Sequence, residues 1–85
     1  MKYLVESSFK GMPSPEALAL IPAVMARGQE LDTNGVREWL LIAADQSKAR
    51  QLFMAESLEA TQVIMESFPL YDYLDMKITP IADAQ

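Results

Sequence analysis

The stretch from Ser67 to Ile81 limits the possible folds of this chain more than any other. Pro69 ends a helical pattern, because proline has no amide donor with which to continue one. A short aromatic turn follows, and then Leu74, Met76 and Ile78 alternate with Asp75, Lys77 and Thr79. A period of two marks a half-buried strand. One face of that strand must lie on a core, and the other must meet surroundings that tolerate charge.

The upstream elements follow the same logic. Residues 2–9 read as a strand with Tyr3, Val5 and Phe9 on one side and Leu4, Glu6 and Ser8 on the other. Lys10-Gly11-Met12-Pro13 breaks it. Ser14, Pro15 and Glu16 then supply an N-cap, a proline at the first helical position and an acid in the first turn. The helix they start runs to about Asp32, with Leu18, Ile21 and Met25, flanked by Leu20, Val24 and Leu31, as its apolar stripe. Pro22 predicts a kink near Leu18 to Pro22, Gly28 weakens the second half, and Asn34-Gly35 ends the helix.

Val36 to Ala44 is the most apolar run and is short, which predicts a strand buried on both faces. Asp45-Gln46-Ser47-Lys48 makes a turn. Arg50 to Glu56 reads as a third strand, although its composition also suits a helix. Ser57 caps a second helix, Leu58 to Phe68, with Leu58, Thr61, Ile64 or Met65, and Phe68 on one stripe. The order βαββαβ is that of an α+β, ferredoxin-like sandwich with both helices on one face of the sheet. Strand two is apolar on both sides, so the bare face is expected to pack on a second sheet and form a homodimer or higher homo-oligomer.

The chain has 85 residues and reads as one domain over residues 1–85. A domain of this size buries only about 60–65% of the surface its unfolded chain exposes. With no cysteine to cross-link it, oligomerisation is the expected source of further stability. Twelve acidic residues outnumber seven basic ones, for a net charge of −5, and the basic residues do not cluster, so nucleic acid is not an expected partner. The first residues do not form a secretory signal, and no apolar run reaches the roughly 20 residues of a membrane span, so a cytoplasmic location without membrane contact is expected.

The stretch Phe53-Met-Ala-Glu-Ser57, the helix after it, and Phe68-Pro-Leu-Tyr-Asp-Tyr-Leu-Asp-Met-Lys-Ile-Thr-Pro-Ile81 resemble the muconolactone delta-isomerase family and its small isomerase-like relatives. Gln29-Glu30-Leu31 before Asn34-Gly35 fits the same pattern more loosely. The resemblance implies a dimeric α+β barrel, often assembled into larger rings, with a pocket between the helices and the inner sheet face. It also implies cofactor-free movement of a proton in an unsaturated lactone.

Strands one and four are antiparallel neighbours in such a sheet, which brings Glu6 and Ser8 close to Asp75, Lys77 and Thr79. Glu6 could then abstract a proton next to a carbonyl while Lys77 stabilises the developing oxyanion. The alternative for the pair is a structural cross-strand ion pair. Trp39, Tyr71 and Tyr73 could stack on a planar ligand or fill a subunit interface, with Trp39, Tyr73, Ser8 and Asp75 the candidate substrate-binding set. The methionines fit core filling better than a pocket. Arg37, Glu38 and Arg50 read as solvated strand residues that could also meet a ligand carboxylate.

Without histidine or cysteine, no zinc or haem site can be built, and Gly11, Gly28 and Gly35 form no phosphate loop, so no metal or cofactor is expected. The leading reading is a cofactor-free isomerase-like protein for a small unsaturated acid or lactone in a mainly apolar pocket. The alternatives are a non-catalytic structural or ligand-binding barrel and a cofactor-free quinol-type monooxygenase.

Overall fold

A four-stranded antiparallel sheet in the order β2-β3-β1-β4 carries the helices on one face. The computed structural model describes residues 1–45 and 47–82, and Gln46 of the expected turn lies outside them. The strands are β1 (Lys2–Phe9), β2 (Arg37–Ile42), β3 (Lys48–Met54) and β4 (Leu74–Ile81). The helices are α1 (Pro15–Ala19), α2 (Ile21–Thr33) and α3 (Leu58–Glu66), with a 3₁₀ turn at Tyr71–Tyr73 before β4. This is the α+β sandwich that the element order predicts.

The alternation in β1 and β4 fixes which face is which. Tyr3 and Val5 are buried, and Val5 packs with Phe53 of β3, Leu31 of α2, and Met65 and Phe68 at the α3 side, with Met76 and Ile78 of β4 against this cluster. A strand shifted by one residue would turn Val5 out and Glu6 in, so this core enforces the register. Ser14 and Ser57 cap α1 and α3 as expected, their hydroxyls accepting from the amides of Ala17 and Ala60. Gly35 takes φ +73° after α2 and Gly11 takes φ +81° after β1, a region that disfavours side chains.

Several expectations need correction. The first helix is broken instead of kinked. It ends at Ala19 and restarts at Ile21, which places Pro22 in the first turn of α2, where its missing amide donor costs nothing. Its buried stripe is Ala17, Gly28 and Leu31 with half-buried Val24, while Leu18 and Met25 are exposed; Leu58, expected on the α3 stripe, is exposed too. The third strand starts two residues earlier than Arg50 and ends at Met54.

A further correction concerns β2. It is an edge strand, and Trp39, Leu40, Leu41 and Ile42 are 39%, 37%, 61% and 59% exposed, so within one chain it is covered on neither face. Apolarity on both sides reflects an edge that a single chain leaves unfinished. A register shift between Arg37 and Trp39 marks a bulge, which sets Trp39 opposite Leu52.

The last concerns Arg37, which is no solvated strand end. Its side chain is only 10% exposed and makes a bidentate pair with Asp32 at 2.7 and 2.8 Å. It also donates to Gln51 Oε1 at 3.0 Å, which joins α2, β2 and β3. The guanidinium lies where a side chain at position 28 would be: a Cβ there would come 2.8 Å from Nη2 and 2.9 Å from Nη1. Gly28 therefore makes room for this joint.

Two measurements check the joint. Gly28→Ala should destabilise the protein by about 1 kcal/mol, since overpacking outweighs the gain in helix propensity. In an Arg37→Ala background the same change should stabilise by up to about 1 kcal/mol, a reversal of sign that denaturant unfolding would detect. The Arg37 guanidinium bonded to Asp32 holds that carboxyl below the usual carboxylate range. A lowered carboxyl contributes stability above its unfolded value and loses it as pH falls through the folded one. Asp32→Asn should therefore cost about 1 kcal/mol at neutral pH, a modest figure because Asp32 is half exposed, and progressively less as pH falls below the usual carboxylate range.

Candidate functional site

Residues that share a register position share a face of the sheet, and the bare face can be read row by row. The middle row runs Leu41, Arg50, Glu6, Lys77 across β2, β3, β1 and β4. On one side lies the row Trp39, Leu52, Leu4, Thr79, and on the other Lys48, Ser8, Asp75. Beyond the apolar row, Met54, Lys2 and Ile81 close the face, with Lys2 bonded to Glu38 at 3.2 Å. A single carboxylate thus lies between two cations, with an apolar strip above it and a polar strip below.

Directly opposed residues on one face of an antiparallel pair have Cβ atoms about 5 Å apart, close enough for Glu6 to reach either cation. Its contact with Arg50 is loose: Nε to Oε2 is 3.8 Å, and the two side chains are 64% and 40% exposed. Such a pair is worth little, and the carboxylate remains available to another partner. Lys77 has no carboxylate within 4.0 Å among the described residues.

The face also differs in charge from the rest of the molecule. Among the described residues, Lys2, Lys48, Arg50 and Lys77 place four of the seven basic residues on it, against three of eleven acidic ones, Glu6, Glu38 and Asp75. On a chain of net charge −5, this is the side that repels an anion least.

The structure brings Glu6, Lys77, Ser8 and Asp75 together on one face. Trp39 joins them at the β2 edge, one row above. Tyr73 does not, since it precedes β4 at the opposite edge and lines a cleft on the helix side with Phe9 and Ala17. Tyr71 packs against the core and accepts a hydrogen bond from Gln62 Nε2 at 2.8 Å. Arg50 is the residue that reading the sequence as solvated strand undervalued. Its only signal was the antiparallel pairing that places it opposite Glu6, and this depends on where β3 begins. Among the described residues no group of three or more acidic side chains is arranged to hold a metal ion, and no helix is long and apolar enough to cross a membrane.

Comparison with known proteins agrees with this fold. Two solved structures superpose over 99% of the chain. One is a crystal structure of muconolactone isomerase, at 22% identity, with 91% of that chain covered and a TM-score of 0.83. The other is 5-chloro-2-hydroxyhydroquinone dehydrochlorinase from Burkholderia phenoliruptrix AC1100 in complex with 2,5-dihydroxybenzoquinone, at 12% identity, with 96% of that chain covered and a TM-score of 0.81. At these identities the likeness establishes the fold. No curated protein sequence matches the chain. The family model described as muconolactone delta-isomerase matches residues 1–85, the whole of the sequence, and the chain therefore belongs to the muconolactone delta-isomerase family.

Proposed function

We propose that this protein is a small-molecule isomerase that works without a cofactor on a small unsaturated acid or lactone held against the bare face of its sheet. The observation that carries this reading is the row Arg50, Glu6, Lys77, in a chain that matches the family along its whole length. A weakly engaged carboxylate between two cations suits movement of a proton next to a carbonyl.

In this reading Glu6 takes a proton from the sp3 carbon that adjoins the substrate's carbonyl-conjugated double bond. The C–H electron pair becomes part of a dienolate, and its negative charge falls on the carbonyl oxygen, where Lys77 or Arg50 donates a hydrogen bond. The protonated Glu6 then returns the proton to the far carbon of the dienolate, so the double bond moves and nothing is oxidised or reduced. Ser8 and Asp75 meet the polar substituent of the substrate, while Trp39, Leu4 and Leu52 cover its apolar part. A second copy of the chain, packed bare face to bare face, supplies the opposite wall and removes water, which strengthens every charge interaction inside. The cationic bias of the face supports a substrate that itself carries a carboxylate.

Muconolactone incubated with the protein in D₂O is the direct test. Isomerisation should be seen by NMR, with deuterium entering the product only to the extent that the Glu6 carboxyl exchanges its proton with solvent before returning it. Glu6→Gln should lower kcat by at least about 10²-fold with the oligomer mass unchanged, and Lys77→Met by about 10- to 10³-fold. Turnover that survives Glu6→Gln would contradict the assignment. The Arg50 contact to Glu6 favours a second reading, in which the face binds such acids without turning them over. Saturable binding of muconolactone with no isomerisation by the unsubstituted protein would establish that reading in place of the first.

A further inference from the structure

The proposed chemistry makes no use of the end of α2, where the chain reads Asp32-Thr33-Asn34-Gly35-Val36. Asn34 is the C-cap, at φ −82° and ψ −1°, and Gly35 follows at φ +73°. The Val36 amide donates to the Leu31 carbonyl at 2.9 Å and the Gly35 amide to the Asp32 carbonyl at 3.1 Å. These two bonds, with Val36 packed against the cluster that holds Leu31, make a Schellman cap. Asn34 and Gly35 are both exposed, and a Cβ built at Gly35 would meet nothing within 4 Å.

An asparagine followed by glycine is open to a reaction of its own. The Gly35 nitrogen can attack the side-chain carbonyl carbon of Asn34. A new C–N bond forms, the side-chain amide C–N bond breaks, and ammonia leaves with the proton that the attacking nitrogen gives up. Water then opens the five-membered imide at either carbonyl, which leaves aspartate or isoaspartate at position 34 with nothing oxidised or reduced. Glycine has no side chain to hinder the attack.

The cap opposes this reaction in two ways. The nucleophile is the nitrogen whose N–H is bonded to the Asp32 carbonyl. Ring closure also needs that nitrogen nearly eclipsed with the Asn34 Cβ, and at ψ −1° it is eclipsed with Asn34's own amide nitrogen instead, about a third of a turn away. Asp32, which holds the N–H through its carbonyl, is itself held through its carboxylate by Arg37 at 2.7 and 2.8 Å. Since Arg37 also donates to Gln51, the nucleophile is tied to β2 and β3 through one residue.

We infer that Asn34 is a site of covalent self-modification, deamidation through an imide with Gly35, and that the Arg37 to Asp32 joint sets its rate by keeping the cap closed. The modification undoes its own restraint. A carboxylate at position 34 stands at the negative end of α2 and two residues from Asp32, where it competes for Arg37. Isoaspartate also lengthens the backbone by one carbon inside the cap, which separates the Gly35 amide from the Asp32 carbonyl.

The full chain, incubated at mildly alkaline pH with and without concentrated urea and then digested with trypsin, tests this by the mass and isoaspartate content of the peptide that contains position 34. Conversion should be seen in both samples and should be at least about tenfold slower in the folded protein, because only the locally opened cap reacts. Arg37→Ala should raise the folded rate about three- to tenfold and leave the rate in urea unchanged. Arg37→Lys, which keeps the charge and loses the two-point grip, should do the same. Ser57→Ala, which removes the cap of α3 instead, should leave the folded rate as it is. The deamidated protein should unfold at a lower urea concentration than the parent. The proposal is overturned by equal rates in the folded and unfolded chains, by no conversion in urea, by an unchanged folded rate in both Arg37 variants, by an equal rise in Ser57→Ala, or by a deamidated protein as stable as the parent.

Discussion

The register of β1 between β3 and β4 is the constraint on which the rest of the structure depends. Val5 and Phe53 are fully buried and Tyr3 nearly so, and they can be buried together only if Glu6 is opposite Arg50 on one side and Lys77 on the other. The apolar core therefore determines which charges meet on the bare face. A slip of one residue would cost the burial of Tyr3 and Val5, at roughly 1.5–3 kcal/mol for each large side chain, and would drive Glu6 into the core. The arrangement proposed for proton transfer thus follows from packing on the opposite side of the sheet.

Much of this was legible in the sequence because β1 and β4 alternate cleanly. Tyr3 and Val5 against Leu4 and Glu6, and Met76 and Ile78 against Asp75 and Lys77, reveal both faces without knowledge of the neighbours. Ser14 and Ser57 were equally plain, since capping is a local matter between a hydroxyl and an amide three residues on. Where the reading failed, the deciding interaction was distant in sequence. Arg37 is buried because Asp32 lies one turn back on α2 and Gln51 lies on the adjacent strand, and Gly28 because that guanidinium needs its space. Pro22 suited either a kink or a restart, and the choice depended on how α1 and α2 pack.

The run Val36 to Ala44 is the more instructive error. Residues apolar on both sides normally mean a strand in the middle of a sheet, yet β2 is at the edge with most of Leu41 and Ile42 exposed. Composition recorded the need for burial and not its source. Leu41 shares the bare face with Trp39, at 39% exposure, and the half-buried Leu4 and Leu52, a surface open within one chain, whereas Ile42, opposite Ala49, is exposed on the other face of the edge. A bare sheet face of this kind suits another protein surface.

The central claim is that a second copy of the chain covers the bare face and so completes the chamber around Glu6. The most direct test is the mass of the native protein in solution, by native mass spectrometry or sedimentation, at about 10 μM, where any stable obligate interface should be fully formed. The account predicts a mass of two chains or a multiple of two, with Leu41→Lys shifting the protein toward single chains. A stable single chain at that concentration would contradict it.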